Sequence, residues 1–446
     1  MRRRSFGWAW FFLGLGSQLQ ILYSLSISEL VVFIVGPYYL LTDWDQIKRD
    51  RFLTFVIAGL LLVFGCVLAC AINQTPMSGA VRGMATTSFL FFAIFVVHHF
   101  LRKDMNGLKW FFVGEALSLI VCIFVFRKFA EAGVTAVNGF GTATTDEIME
   151  GPIFWIQRLG AFVSTPINGW YMSTPLTYMI LAPLGMATFS MLTSASGRSA
   201  ALTFAGCALL ILIGGKRRYR MKRISRYFFI GAVAALVFIK AASFAYRYAA
   251  LHGWLNEAAL KKYEVQTRGG GGVVGLLIGG RAASFIGVLA ALDHPIFGLG
   301  PWAADTENYS GQFLAKFGSI EDYDEFERSR ERAMRLGEPS GLVSCHAVWL
   351  EFWVWYGLGG LIFCLYVLFV YARFIRKDLA VIPQWYGFLV AGMPGLLWTM
   401  FFSPLTARLE WIITISCCLM ARAVRLGRIQ LPMEMQIEIL KEERRP

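Results

Sequence analysis

Arg198, Arg281 and His346 are the residues of this chain best suited to do chemistry. Two guanidinium groups can hold a diphosphate through bidentate, charge-assisted hydrogen bonds. A neutral imidazole, with an unperturbed pKa near about 6.5, can take a proton from a hydroxyl nucleophile at physiological pH. Together they suit displacement of a diphosphate-linked group by a hydroxyl. Each also has a plainer structural reading, since Arg281 can snorkel to headgroups and His346 can cap a helix. What singles them out is position. Arg198 closes the polar break Ser194-Ala-Ser-Gly-Arg198 between two apolar runs, Arg281 interrupts the apolar stretch Val273 to Leu292, and His346 opens the apolar stretch 346–371. Ionisable groups beside a membrane's apolar region are costly and are functional candidates by default.

Residues so distant in sequence meet only if the chain crosses a bilayer repeatedly and returns them to one face. Composition demands that architecture. Of 446 residues, 57% are hydrophobic and only 16% are charged, and the mean hydropathy is +0.55. The fold class expected is all-α, a polytopic integral membrane protein with about 10 to 12 transmembrane helices of roughly 20 residues each. It should carry one long periplasmic loop containing short surface helices. An aromatic content of 15% fits Trp and Tyr belts at both interfaces. Met1-Arg-Arg-Arg4 followed by an apolar run lacks a small-residue cleavage site, so an uncleaved first span is expected.

Charge placement orients the threading. Seven basic residues and no acid lie between 216 and 226: Lys216, Arg217, Arg218, Arg220, Lys222, Arg223 and Arg226. Short Lys/Arg-dense loops stay in the cytoplasm. The net charge of +13 resides in this block, in Arg2 to Arg4, in Arg373/Arg376/Lys377 and in Arg422/Arg425/Arg428. Residues 244–345, by contrast, hold 10 Lys/Arg and 12 Asp/Glu. Topology explains the charge, and no nucleic-acid partner is implied. Expected spans are 8–24, 27–42, 52–72, 81–100, 109–126, 174–193, 199–214, 227–246, 346–371, 385–402 and 409–421. Parity requires either that one early segment is re-entrant or, the preferred reading, one further crossing at Ile153 to Tyr171, which is tolerable only if packed in protein or lining a cavity. The chain then divides into N-terminal helices (1–173), helices with the Arg198 element and basic loop (174–246), a periplasmic loop (247–345), C-terminal helices (346–421) and a cytoplasmic tail (422–446).

Other signals carry less. Most of the eight Cys fall within apolar runs, and no disulfide or zinc spacing is readable. Cys345 beside His346 reads as packing, because nothing near it suggests a lowered thiol pKa. Asp43-Trp-Asp45 and Asp322-Tyr-Asp324 could hold a metal and diphosphate, but both read better as solvated carboxylates. His98 and His99 are adjacent on a helix and point in different directions, which argues against a shared metal. His294, before Pro295, reads as structural. Phe297, Trp302, Tyr309, Trp349, Trp353, Trp355 and Tyr356 could form either a sugar-stacking groove or an interfacial belt. Trp302 is the preferred glycan contact, since it follows a turn.

Three stretches together resemble a known superfamily. Gly280-Arg281 with Asp293-His-Pro-Ile-Phe-Gly-Leu-Gly-Pro-Trp302, then His346-Ala-Val-Trp-Leu-Glu351 with Tyr356-Gly-Leu-Gly-Gly360, and Thr193-Ser-Ala-Ser-Gly-Arg198-Ser resemble signature elements of the O-antigen ligase and Wzy-type polymerase superfamily. Two departures are visible: Ala347 follows His346 where the family has Asn, and Gly197 separates Ser196 from Arg198. The resemblance implies metal-independent, inverting transfer of a glycan from a polyprenyl (undecaprenyl) diphosphate carrier to an acceptor hydroxyl. The reaction would run at the periplasmic face of a bacterial inner membrane, without a cofactor. Carried over, Arg198 and Arg281 bind the diphosphate and His346 acts on the acceptor. That acceptor is either another carrier-linked glycan, the polymerase reading, or a lipid A-core, the ligase reading. A lipid-linked oligosaccharide transporter is the rival class. Few charged residues lie deep within the expected spans and no internal repeats are visible, which argues against it.

Overall fold

The computed structural model describes residues 2–17, 19–22, 25–124, 282–317, 343, 345, 347–378, 381–382, 396–397, 399–401, 408–431 and 436, with single positions at 184–185, 244, 248, 252, 328 and 331. Helices dominate: α1 (Arg2–Leu15), α2 (Ile27–Thr42), α3 (Trp44–Arg49), α4 (Leu53–Ile72), α5 (Met77–Lys103), α6 (Leu108–Phe124), α7 (Ala282–Asp293), α8 (Tyr309–Phe317), α9 (Val348–Arg373) and α10 (Arg408–Arg425). A π-helical turn, Phe374–Asp378, extends α9. Three helices are long and apolar enough to cross a membrane: α4, α5 and α9 with its extension. α7 covers the later half of the apolar stretch Val273 to Leu292. The spans expected at 153–171, 174–193, 199–214, 227–246 and most of 385–402 lie outside the described residues, save for 184–185 and 244.

The first expected span is shorter than anticipated. α1 ends at Leu15, and the chain folds into a small antiparallel ladder of β1 (Gln20–Leu22) and β2 (Leu25–Ser26). The cause is local. Ser26 accepts from the Glu29 amide at 3.3 Å, and the Glu29 carboxylate accepts from the Ser26 amide at 2.8 Å. This reciprocal cap starts α2 at Ile27 and commits the preceding residues to extended backbone. Small residues set two helix crossings. Gly14 and Gly114 bring α1 and α6 together, while Gly65 and Gly359 let α4 and α9 approach backbone to backbone.

Contacts fix the helix directions. α4 runs antiparallel to α9, with Thr54 Oγ1 2.8 Å from Tyr366 Oη at one end and Asn73 donating to the Gly298 carbonyl at the other. The first of these ends is ionic. His98 meets Asp50 at 3.0 Å, Arg102 meets the same carboxylate oxygen at 2.5 Å, and His99 meets Asp43 at 2.6 Å. Adjacent histidines thus reach separate carboxylates, as the helical rotation between neighbours requires. Asp43 was expected to be solvated; instead it is buried, because His99, stacked on Tyr39, holds it inside. Arg373 and Arg425 reach Asp378 at the same end. At the opposite end, Arg408 of α10 pairs with Glu29 of α2 at 3.1 Å.

α9 contains a break that organises this second end. Gly357 has φ 59° and ψ −144°, so the helical hydrogen-bond ladder is interrupted there. The groups freed by the break do not go unpaired. The Leu358 amide donates to the Ile296 carbonyl at 2.9 Å, and the Val354 carbonyl accepts from the Leu299 amide at 2.7 Å. The turn after α7 is thereby hydrogen-bonded into the gap in α9. A Cβ at Gly357 would run into the Ile296 carbonyl, on top of its left-handed backbone. We expect Gly357→Ala to cost about 3 kcal/mol or more. Gly427→Ala, also left-handed but in open space, should cost about 1 kcal/mol. Thermal unfolding of the two purified variants in detergent checks the contrast.

Candidate functional site

The turn from His294 to Trp302 is the centre of the described segment 282–317. Left-handed backbone at Gly298 (φ 69°) and Gly300 (φ 87°) folds it tightly, and Trp302 itself has φ 54°. Neighbouring elements then fix it from three sides. Asn73, at the end of α4, donates to the Gly298 carbonyl at 3.0 Å and to the Ala69 carbonyl at 2.8 Å. Pro301 packs on α5 at Gly79 and Gly83, where no side chain stands in the way. The Trp353 indole of α9 donates to the Pro295 carbonyl at 3.0 Å. Trp302 is half-buried and stacks on Trp355, with ring centroids 4.6 Å apart and planes 30° apart. One indole face of Trp302 is therefore taken by protein, which holds the ring rigid.

Beyond the turn the chain is pinned again. The Val343 amide donates to the Ala303 carbonyl at 3.0 Å. Buried Asp305 accepts from the amides of Tyr309 at 2.8 Å and Ser310 at 2.9 Å, capping the start of α8. Glu307 bridges two groups: it accepts from the Tyr309 hydroxyl at 2.9 Å and meets His294 Nε2 at 3.1 Å. The Tyr309 hydrogen bond, then the His294 hydrogen bond and charge, hold the Glu307 carboxyl below its ordinary value against some desolvation. Burial and the Glu307 carboxylate push the Tyr309 hydroxyl the other way, so it stays a donor. His294, before Pro295, thus has Glu307 as its partner.

Trp302 is the sequence-predicted site residue that the description covers. Arg198, Arg281 and His346 lie outside the described residues. The flanks of two of them are in place. Cys345 and Ala347, on either side of position 346, are buried, and Gly287 of α7 leaves room for the Cys345 sulfur and Leu350. α7 itself begins one residue after position 281. Burial, followed by the nearby Glu351 charge, pushes the Cys345 thiol up, in keeping with a packing role. Of the aromatic set, Tyr309, Trp355 and Tyr356 are 1%, 3% and 0% exposed, so they build the core rather than a sugar groove or a lipid belt. Phe297 is exposed.

Sequence reading missed Asp305 and Glu307. The signal for Asp305 was present, as an acid just ahead of the first turn of α8; Glu307 announces itself only through partners brought by the fold. Among the described residues, no group of three or more His, Cys, Asp or Glu could hold a metal ion. No family model matches the chain, and a search of curated proteins finds no match either.

The Glu307 pairing has a pH signature. A carboxylate with a lowered folded pKa stabilises fully above its unfolded value of about 4.5, and the contribution is lost as pH falls through the folded value. Hydrogen exchange of the 294–310 segment should therefore quicken as pH drops below about 4.5, beyond the intrinsic exchange change. Glu307→Gln should flatten that extra dependence.

Proposed function

We propose that the chain is a polytopic membrane glycosyltransferase that moves a glycan from a polyprenyl diphosphate carrier to an acceptor hydroxyl, in the manner of a surface-polysaccharide polymerase. One observation carries the reading. The two longest stretches that resemble the O-antigen ligase and Wzy-type superfamily, the 294–302 turn and the Tyr356–Gly360 break, interlock through reciprocal backbone hydrogen bonds. Segments some 60 residues apart that bear the resemblance thus form one structural unit, with the flanks of positions 281 and 346 packed beside it. The end of the bundle carrying Arg102, Arg373, Arg422 and Arg425 is cytoplasmic by the positive-inside rule, which leaves the turn at the periplasmic face.

The chemistry is a single in-line displacement. His346 takes the proton from the acceptor hydroxyl as its oxygen forms a bond to the anomeric carbon. The bond from that carbon to the diphosphate oxygen breaks, and the lipid diphosphate leaves with the electron pair. Arg198 and Arg281 stabilise the charge growing on it. Inversion at the anomeric carbon follows from one displacement. Trp302, held rigid by Trp355, offers an aromatic face for a sugar ring. The carrier's isoprenoid tail stays in the bilayer, and the inner (cytoplasmic) membrane of a bacterium is where such a carrier is met.

The test is His346→Ala in cells lacking the native copy, with the carrier-linked glycan sized. Single repeat units without long chains are expected. Long chains stranded on the carrier would instead assign a ligase that joins glycan to lipid A-core. Normal finished surface glycan would remove His346 from the mechanism and return the transporter reading.

A further inference from the structure

The three long helices keep their basic residues at the ionic end, with one exception. Arg102 and Lys103 close α5, Arg373 closes α9, and Arg376 and Lys377 follow in its extension. α4 carries none. Arg82 of α5 is the exception, because it lies toward the end that holds the 294–302 turn. Charges that orient a membrane protein gather on one side, so orientation gives Arg82 no reason to be there. A charge on an apolar helix is costly without a partner. Among the described residues Arg82 is exposed, and no carboxylate or hydrogen-bond acceptor engages its guanidinium group.

The turn sits on this same stretch of α5. Pro301 packs into the space left by Gly79 and Gly83, the two residues that bracket Arg82 in sequence. A Cβ at Gly79 would also lie 3.3 Å from Thr75 Cγ2 and 3.9 Å from Trp302 Cβ, so Trp302 stands beside that helical turn. At about 3.6 residues per turn, position 82 falls at the edge of the buried face lined by Gly79, Gly83 and Thr86. Its neighbours Val81 and Met84 are exposed apolar side chains. An unpaired guanidinium group, an indole braced by Trp355 and apolar surface therefore meet at one end of α5. An amphiphile with an anionic group next to a sugar has use for all three.

On the strength of the glycan-transfer reading, we propose that Arg82 binds the diphosphate of the polyprenyl carrier, in addition to Arg198 and Arg281. Its fork of N–H donors takes two phosphate oxygens at once. No ion pair has to be broken first, since the group has no carboxylate partner among the described residues. The sugar next to the diphosphate then lies toward Trp302, and the isoprenoid tail keeps to the apolar surface.

The experiment titrates the purified full-length protein, in phosphatidylcholine nanodiscs, with undecaprenyl diphosphate and reads binding by native mass spectrometry. Wild type should bind it, and Arg82→Gln should bind about tenfold more weakly or worse, the loss of a charge-assisted contact. Arg82→Lys keeps the charge without the fork and should fall between the two. Lys48→Gln removes a charge paired with Asp45 at 3.2 Å and should bind as wild type does. Equal binding by wild type and Arg82→Gln overturns the role of Arg82 and leaves the transfer reading standing. A wild type that does not bind undecaprenyl diphosphate sinks that reading, and the role of Arg82 with it. Excess phosphatidylglycerol in the disc separates the carrier from an ordinary headgroup. If it lowers wild-type binding to the level of Arg82→Gln, Arg82 is a general headgroup contact and the proposal fails.

Discussion

A backbone break inside an apolar bundle is permissible only if every group it frees finds a partner within the protein. Water is not there to take up an orphaned amide or carbonyl. α9 meets that requirement at Gly357 by borrowing the turn at 294–302, which donates one amide and accepts another. The exchange is mutual. The turn needs left-handed residues to present its own groups, and it in turn could not be held at that depth without the gap. Asn73, Pro301 and Trp353 then extend the same unit to α4, α5 and α9. A single hydrogen-bonded interlock thereby orients the three helices that are long enough to cross a membrane.

The two ends of the bundle solve the burial of charge differently. At one end, imidazoles, guanidinium groups and carboxylates are drawn inward in pairs, with His98 and Asp50 both fully enclosed. At the other, ionic contacts are few, and backbone polarity carries the tertiary links. Buried ion pairs gain little net stability against their desolvation, but they penalise any packing that separates the partners. Asp50, shared by His98 and Arg102, therefore specifies how the α3–α4 corner sits on α5 more than it stabilises the fold.

The long apolar helices were legible because their sequence runs are continuous. Expected spans at 52–72, 109–126 and 346–371 correspond to α4, α6 and α9 within about two residues at each end. What escaped sequence reading depends on groups that only the fold brings together. Nothing around Asp43 announces His99, 56 residues away. Gly357 stands in a glycine-rich stretch that continues a helix equally well on paper, and it becomes a break because Ile296 and Leu299 offer partners. The Ser26–Glu29 cap was readable as a local pattern, yet the apolar run preceding it suggested that helix would continue. For the candidate site, Trp302 was legible as a residue after a turn, but its stacking on Trp355 was not. Asp305 was passed over although it stands where a helix cap would, and Glu307 because its partners Tyr309 and His294 are joined to it only by the fold.

The hydrogen bond between Val343 and Ala303 gives the segment between them a closed neck. The chain departs from the bundle and rejoins it at almost the same point. An excursion anchored in this way can lengthen at small cost, since doubling a loop adds only about 0.6 kcal/mol of closure entropy. Two links still reach the base from beyond the neck, Glu307 to His294 and Phe313 of α8 stacked on Phe285 of α7. Length added between Phe317 and Val343 therefore leaves those two links and the neck as they stand.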